Sequence, residues 1–141
     1  MTALPPPALR YVRAALVFLV YGMSLGLHVS AALHMGWGVY RGTYRLAHVH
    51  VLMIGFLLML LAGLALWRFP EPAPGSRAWI PSASWWALVV TVLLRSSAEI
   101  ADGYFHAAWI PALTFGSSCV QFVVLWALAA HLFARMRHSG R

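Results

Sequence analysis

The run RLAHVHVLMIGF, Arg45 to Phe56, sets two imidazoles, His48 and His50, one residue apart at the mouth of an apolar stretch. Imidazole exchanges protons near neutral pH and is a common ligand for transition metals. Left in hydrocarbon without a partner, it is costly. Five more histidines accompany the pair, His28, His34, His106, His131 and His138, with only three acids in the chain, Glu71, Glu99 and Asp102. His28, His34, His48, His50, His106 and Asp102 form an imidazole and carboxylate set of the kind that suits copper or zinc. The set lacks the thiolates, or a His-x-x-Glu-His grouping, that mark stronger metal motifs.

The elements that must position these side chains follow from composition. Of 141 residues, 62% are hydrophobic and 9% charged, where a soluble domain carries about a quarter charged residues. Ten arginines, no lysine and three acids give a net charge of +7. In a soluble chain that excess would point to nucleic acid. Here the arginines bracket apolar runs of transmembrane length, so they report topology, and nucleic acid is not an expected partner. The expected solvent is membrane lipid.

Four segments approach the roughly 20 residues that a spanning helix needs: 8–35, 46–67, 84–107 and 112–134. The expectation is an all-α, four-helix transmembrane bundle, with 1–141 as a single integral membrane domain. RFPEPAPGSRAWIPSAS, between the second and third segments, carries Pro, Gly and Ser throughout and reads as a loop. HAAWIPAL leaves a tight turn before the fourth, and the opening PPP reads as a disordered lead-in. A secretory signal peptide is the rival for the first segment. Its apolar run exceeds the about 7–15 residues of such peptides and holds a histidine, so a retained helix is expected. The lone Cys119 excludes an internal disulfide and a covalently attached haem, which needs C-x-x-C-H. It reads as a small apolar filler of the fourth helix.

If four helices alternate, Arg10, Arg13, Arg68, Arg77, Arg135, Arg137 and Arg141 fall on one side, and only Arg41 and Arg45 on the other. The positive-inside rule then places both termini in the cytoplasm, with Trp37, Tyr40, Tyr44, Trp67, Trp85, Trp86 and Trp109 suited to interfacial belts. Depth follows. His34 ends the first helix on the outer side, and His48 and His50 begin the second there. Asp102 and His106 lie in the outer half of the third, and His28 sits about 9 Å below His34. Five of the seven histidines thus gather in the outer leaflet. His131 and His138, at the inner end and tail, are expected to meet the interface.

Helical facing adds detail. Arg95, Glu99, Asp102 and His106 are spaced four, three and four apart, which places them in a stripe roughly 60° wide. Ionisable groups in a membrane normally face the bundle interior or a partner. Arg95 and Glu99 form an i, i+4 pair with a structural reading of its own; Asp102 and His106 continue the stripe toward the histidines. On the first helix Gly22, Gly26, Ser30 and His34 repeat at four-residue intervals, a small-residue face that lets another helix approach. His28 lies on another face, with Ser24 and Met35. Two positions along a helix turn a side chain by about 200°, so His48 and His50 point nearly opposite ways and cannot chelate one metal. His48 shares a face with Gly55 and Ala62, where a flat macrocycle finds space, and His50 shares one with Met53, Leu57 and Leu64. His48 is therefore the better internal ligand.

RLAHVHVLMIGF resembles the second helix of subunit I in heme-copper oxidases and nitric oxide reductases. There an Arg-x-x-His near the outer membrane face opens an apolar helix, and that His binds low-spin haem b. The run is also similar to short four-helix proteins related to that subunit, whose second helix opens with His-x-His. The haem-containing membrane proteins of the nitric oxide response have a comparable start. The similarity covers roughly the first half of the chain. It implies that His48 binds haem. The later subunit I helices, which carry the second axial histidine, the copper ligands and the high-spin haem ligand, have no counterpart in these residues.

The sequence thus leads to a four-helix bundle of the bacterial cytoplasmic membrane that holds b-type haem near its outer face and serves respiratory electron transfer or nitric oxide and oxygen handling. Arg41 and Arg45 are the propionate partners in this reading. A second axial histidine comes from His28, His34 or His106, or from a partner chain. The expected partners are a c-type cytochrome, oxidase or nitric oxide reductase subunits, or a second copy of the chain. Copper or zinc binding, and an accessory subunit of such an oxidoreductase, are the alternatives.

Overall fold

Proline and glycine punctuate the chain where the helices begin and end. The computed structural model describes residues 4–69 and 79–139. Every element among them is helical: α1 (Pro6–His34), α2 (Gly42–Arg68), α3 (Trp79–Asp102) and α4 (Trp109–Ser139). Pro6 opens α1 at a position whose N–H has no helical partner in any case. Both α3 and α4 open with Trp-Ile-Pro, at Trp79 and Trp109. The prolines fit inside the first turn, where the four leading N–H groups go unused. This is why α3 and α4 start at 79 and 109 rather than at the expected 84 and 112. The loop expected between the second and third helices falls mainly on residues 70–78, outside the described ones.

The third helix also stops early. Gly103 follows Asp102, and the N–H groups of Gly103, Tyr104 and Phe105 turn back to the carbonyls of Ile100 and Ala101. The i, i+3 bonds of Gly103 and Tyr104 tighten the last turn and end the helix, with Gly103 outside the left-handed region. His106 therefore leaves the helix and is exposed in the turn before α4, and the stripe stops at Asp102.

Three helices are long and apolar enough to cross a membrane: α1, α2 and α4 over Trp109–Arg137. The other one, α3, is the polar helix of the bundle. It buries Ser84, Thr91, Ser96 and Glu99 beside Leu88 and Val92. Large apolar side chains such as Val17, Val20 and Leu27 on α1 and Phe115, Phe122 and Trp126 on α4 are exposed, which fits lipid contact.

Packing is uneven. α1 lies along the whole of α2 and shares the broadest interface with it, α2 meets α3 by its N-terminal half, and α3 and α4 form the next broadest interface. The apolar core runs from Tyr11, Ala15 and Phe18 of α1 through Val51, Met59 and Leu66 of α2 to Leu88 and Leu128. Gly22 and Gly26 form the close-approach face expected of them, against Leu52 and His48. α4 is held mainly by α3 and meets α2 only sparsely, so a seam is left between α2 and α4. Toward the C-terminal end of α2 it is an apolar groove lined by Leu58, Ala62, Ala65, Leu125 and Leu128, and toward the N-terminal end a polar cleft. Beside the C-terminal end of α2, Arg135 Nη2 donates to the carbonyl of Leu66 at 3.2 Å.

The middle of α2 is π-helical over Val51–Leu58, with hydrogen bonds closing at i, i+5. The wide turn holds an extra residue and delays each face of the lower half by one position. The face of His50 continues to Leu58 and Ala65, which line the α2/α4 seam, not to Leu57 and Leu64, which do not. The α1-facing side runs from His48 and Gly55 to Gly63, not to Ala62.

Candidate functional site

The N-terminal half of α2 presents its two histidines to different neighbours, as their spacing requires. His48 turns toward α1. Its Nδ1 lies 2.7 Å from the carbonyl oxygen of Gly22, and its ring edge packs on Gly26, where an added Cβ would come within 2.6 Å of Cε1. A carbonyl only accepts, so Nδ1 carries the proton and Nε2 keeps its lone pair. Among the described residues Nε2 makes no hydrogen bond. The space expected over Gly55 is taken by Phe18, whose Cγ would lie 2.8 Å from an added Cβ.

His50 turns toward α3. Arg95 Nη2 reaches its Nε2 at 2.8 Å, and Glu99 Oε1 lies 2.8 Å from its Nδ1. Guanidinium N–H groups can only donate, so Nε2 accepts and Nδ1 carries the proton that faces the carboxylate. Arg95 Nε also donates to Glu99 Oε1 at 3.0 Å, and Nη1 reaches Gln121 Oε1 on α4 at 3.4 Å. The expected Arg95–Glu99 pair is thus present, with two further members from other helices. The side chain of Glu99 is 6% exposed and that of Arg95 16%, so the two charges are stabilised mainly by each other and by these partners.

The polar cleft opens beside this network. Thr43, His50, Arg95, Glu99, Asp102, Thr114 and Ser118 line it together with Leu46, Ile110, Pro111 and Phe115. Asp102 therefore does face the bundle. The remaining histidines do not converge here. His28 is half-buried, with its ring 4.8 Å from that of Tyr44, whose hydroxyl meets that of Tyr104 at 2.9 Å. Its Nε2 is buried without a hydrogen-bond partner. His34 and His106 are exposed, as are Arg41 at the start of α2 and Arg45 in its first turn. Among the described residues no three His, Cys, Asp or Glu side chains come together in a group able to hold a metal ion.

Two polar features were not anticipated. His131, expected at the interface, is buried, and so is Arg135. With Ser117 and Gln121 they make one buried face of α4, at spacings of four, ten and four that keep them within about 80° of one another. That periodicity was available in the sequence as polar residues repeating along an otherwise apolar helix. Gln121 in particular supplies the α4 member of the network. Compared with known proteins, the chain matches no family model, no curated sequence and no solved structure.

Proposed function

We propose that the protein holds b-type haem near the outer face of a bacterial cytoplasmic membrane and serves respiratory electron transfer, or gas handling where one axial position stays open. The observation that carries this reading is the His48 ring, tied by Nδ1 to the Gly22 carbonyl at 2.7 Å with Nε2 left without a hydrogen bond. An imidazole whose second nitrogen donates to a carbonyl has its tautomer and orientation fixed and its ligand nitrogen made more basic. The resemblance of RLAHVHVLMIGF to the second helix of subunit I selects the same residue.

His48 offers a neutral imidazole to the group, while Phe18 fills the space over Gly55 that a macrocycle would use. His48 is the axial ligand, and Arg45, three residues earlier and exposed, is the cation for a propionate, with Arg41 beside it. Bound haem supplies one-electron chemistry and an iron atom. His50 is excluded from ligation by its own contacts, since Arg95 occupies its Nε2. Of the histidines considered for a second axial position, His28 is the half-buried one, and its Nε2 lacks a partner. In this reading α3 spans the membrane with the other three helices and both termini are cytoplasmic. The electron partner is then a c-type cytochrome or a subunit of an oxidase or nitric oxide reductase.

The test is the visible spectrum of the purified protein, oxidised and then reduced. A Soret band, with sharp α and β bands on reduction, is expected for histidine-ligated low-spin iron. A colourless preparation from haem-replete cells that does not respond to added haem overturns the reading. Stoichiometric copper or zinc in that preparation would replace it with a metal site.

A further inference from the structure

The polar cleft on the α2/α4 seam carries its own inference, on residues separate from His48 and independent of haem. It is a lipid-facing opening of about 460 Å³ between helices that elsewhere pack side by side. Exposed Leu46, Pro111 and Phe115 form its apolar lips, buried Ile110 adds to the apolar lining, and the His50–Arg95–Glu99 network lines it on the polar side. One oxygen of Glu99, Oε1, accepts from Arg95 Nε and lies 2.8 Å from His50 Nδ1. The other, Oε2, is buried and has no hydrogen-bond donor among the described residues. Glu99 as a whole is 5% exposed. Thr43 lines the same cleft, and its Oγ1 is likewise buried without a partner.

An acceptor left without a donor in a membrane interior is a standing cost, which any group able to supply the donor relieves. Arg95 already balances the charge of Glu99, so the missing element is a hydrogen rather than a second cation. The apolar lips require that the hydrogen arrive on an apolar body. We propose that this cleft binds an apolar molecule bearing a hydroxyl group, an alcohol or phenol dissolved in the outer leaflet, whose O–H donates to Glu99 Oε2. A small turn of the carboxylate about its soft terminal torsion presents Oε2 to the cleft. The Thr43 hydroxyl then donates to the oxygen of the bound hydroxyl group.

The test uses the full chain in lipid nanodiscs, with 4-heptylphenol as probe and its methyl ether as control, and empty nanodiscs to subtract partitioning. The two probes differ only in the hydrogen. The wild type should bind the phenol roughly tenfold more tightly than the ether, the scale of one hydrogen bond to a charged acceptor. Glu99→Gln keeps an oxygen for Arg95 but loses the anionic acceptor, and should bring the ratio to about one. Ser118→Phe fills the cleft away from the network and should weaken both probes by a similar factor. Equal binding of phenol and ether by the wild type overturns the proposal, as does tighter binding of heptylammonium than of the phenol. So does an unchanged affinity for both probes in Ser118→Phe, a result that stands even if Glu99→Gln fails to fold.

Discussion

The Nδ1 of His48 and the carbonyl oxygen of Gly22 lie 2.7 Å apart, joining α2 to α1. This bond separates the two histidines of the HVH run, since His50 faces α3, with Nε2 bonded to Arg95 and Nδ1 2.8 Å from Glu99 Oε1.

The first prediction uses that difference. His48→Ala should abolish the haem spectrum or convert it to that of another ligation state. His50→Ala should keep the bands, with a shifted potential. Absorption spectra and redox titration of both variants, at matched expression and insertion, decide the matter. Loss of haem from His50→Ala with retention in His48→Ala would mean that the ligand lies on the α3 side.

A second prediction concerns the charged network and needs no cofactor. Glu99→Ala leaves the Arg95 guanidinium without its anion, and should lower stability by about 3 kcal/mol in reversible unfolding from mixed micelles. The double variant Arg95→Met/Glu99→Met removes both charges and should recover most of that loss. Additive losses in the double variant would show that the two residues do not depend on each other.

Packing at Gly55 gives the third. An added Cβ there would meet Phe18 Cγ at 2.8 Å, and a ring base is not free to swing away. Gly55→Ala should cost about 1–3 kcal/mol, the usual range for overpacking. Phe18→Leu, harmful alone through lost burial, should be less harmful in the Gly55→Ala background. A thermal-stability cycle of the four proteins checks this, and a Gly55→Ala protein as stable as the wild type would place α1 further from α2 than 2.8 Å implies.

The fourth concerns His106. Exposed in the turn after Gly103, it should tolerate His106→Ala within about 0.5 kcal/mol, with no change in spectrum. Asp102→Asn, at the rim of the cleft, should alter the 4-heptylphenol affinity without touching the His48 bands. A spectral change in His106→Ala would restore the histidine to the site.

The bundle was legible because apolar runs of about 20 residues leave few choices, and α1 came within two residues of its limits. Helix ends were less so. Trp-Ile-Pro reads as a break before a helix, yet proline in a first turn breaks nothing, and Gly103 outweighed the apparent periodicity carrying the stripe on to His106. The network was half visible. Arg95 and Glu99 announce themselves by spacing on one helix, whereas His50 and Gln121 come from others, and no ruler along α3 can find them. The facing argument held for His48 and Gly55, which share the α1 side. It failed below, where a count of 100° per residue was carried through a π-helical stretch.

That stretch has a consequence for how the length of this gene product can change. Elsewhere in α2 a one-residue deletion or insertion rotates everything beyond it by about 100° and scrambles the contacts of Gly63 and Leu66 with α1. Within Val51–Leu58 the surplus residue is already accommodated as a wide turn. Deleting one residue there lets ordinary α-helical bonding close while the histidines above and the small-residue contacts below keep their bearings. The π-helical segment is thus a slack point, where the chain can shorten by one residue without re-indexing either half of the helix.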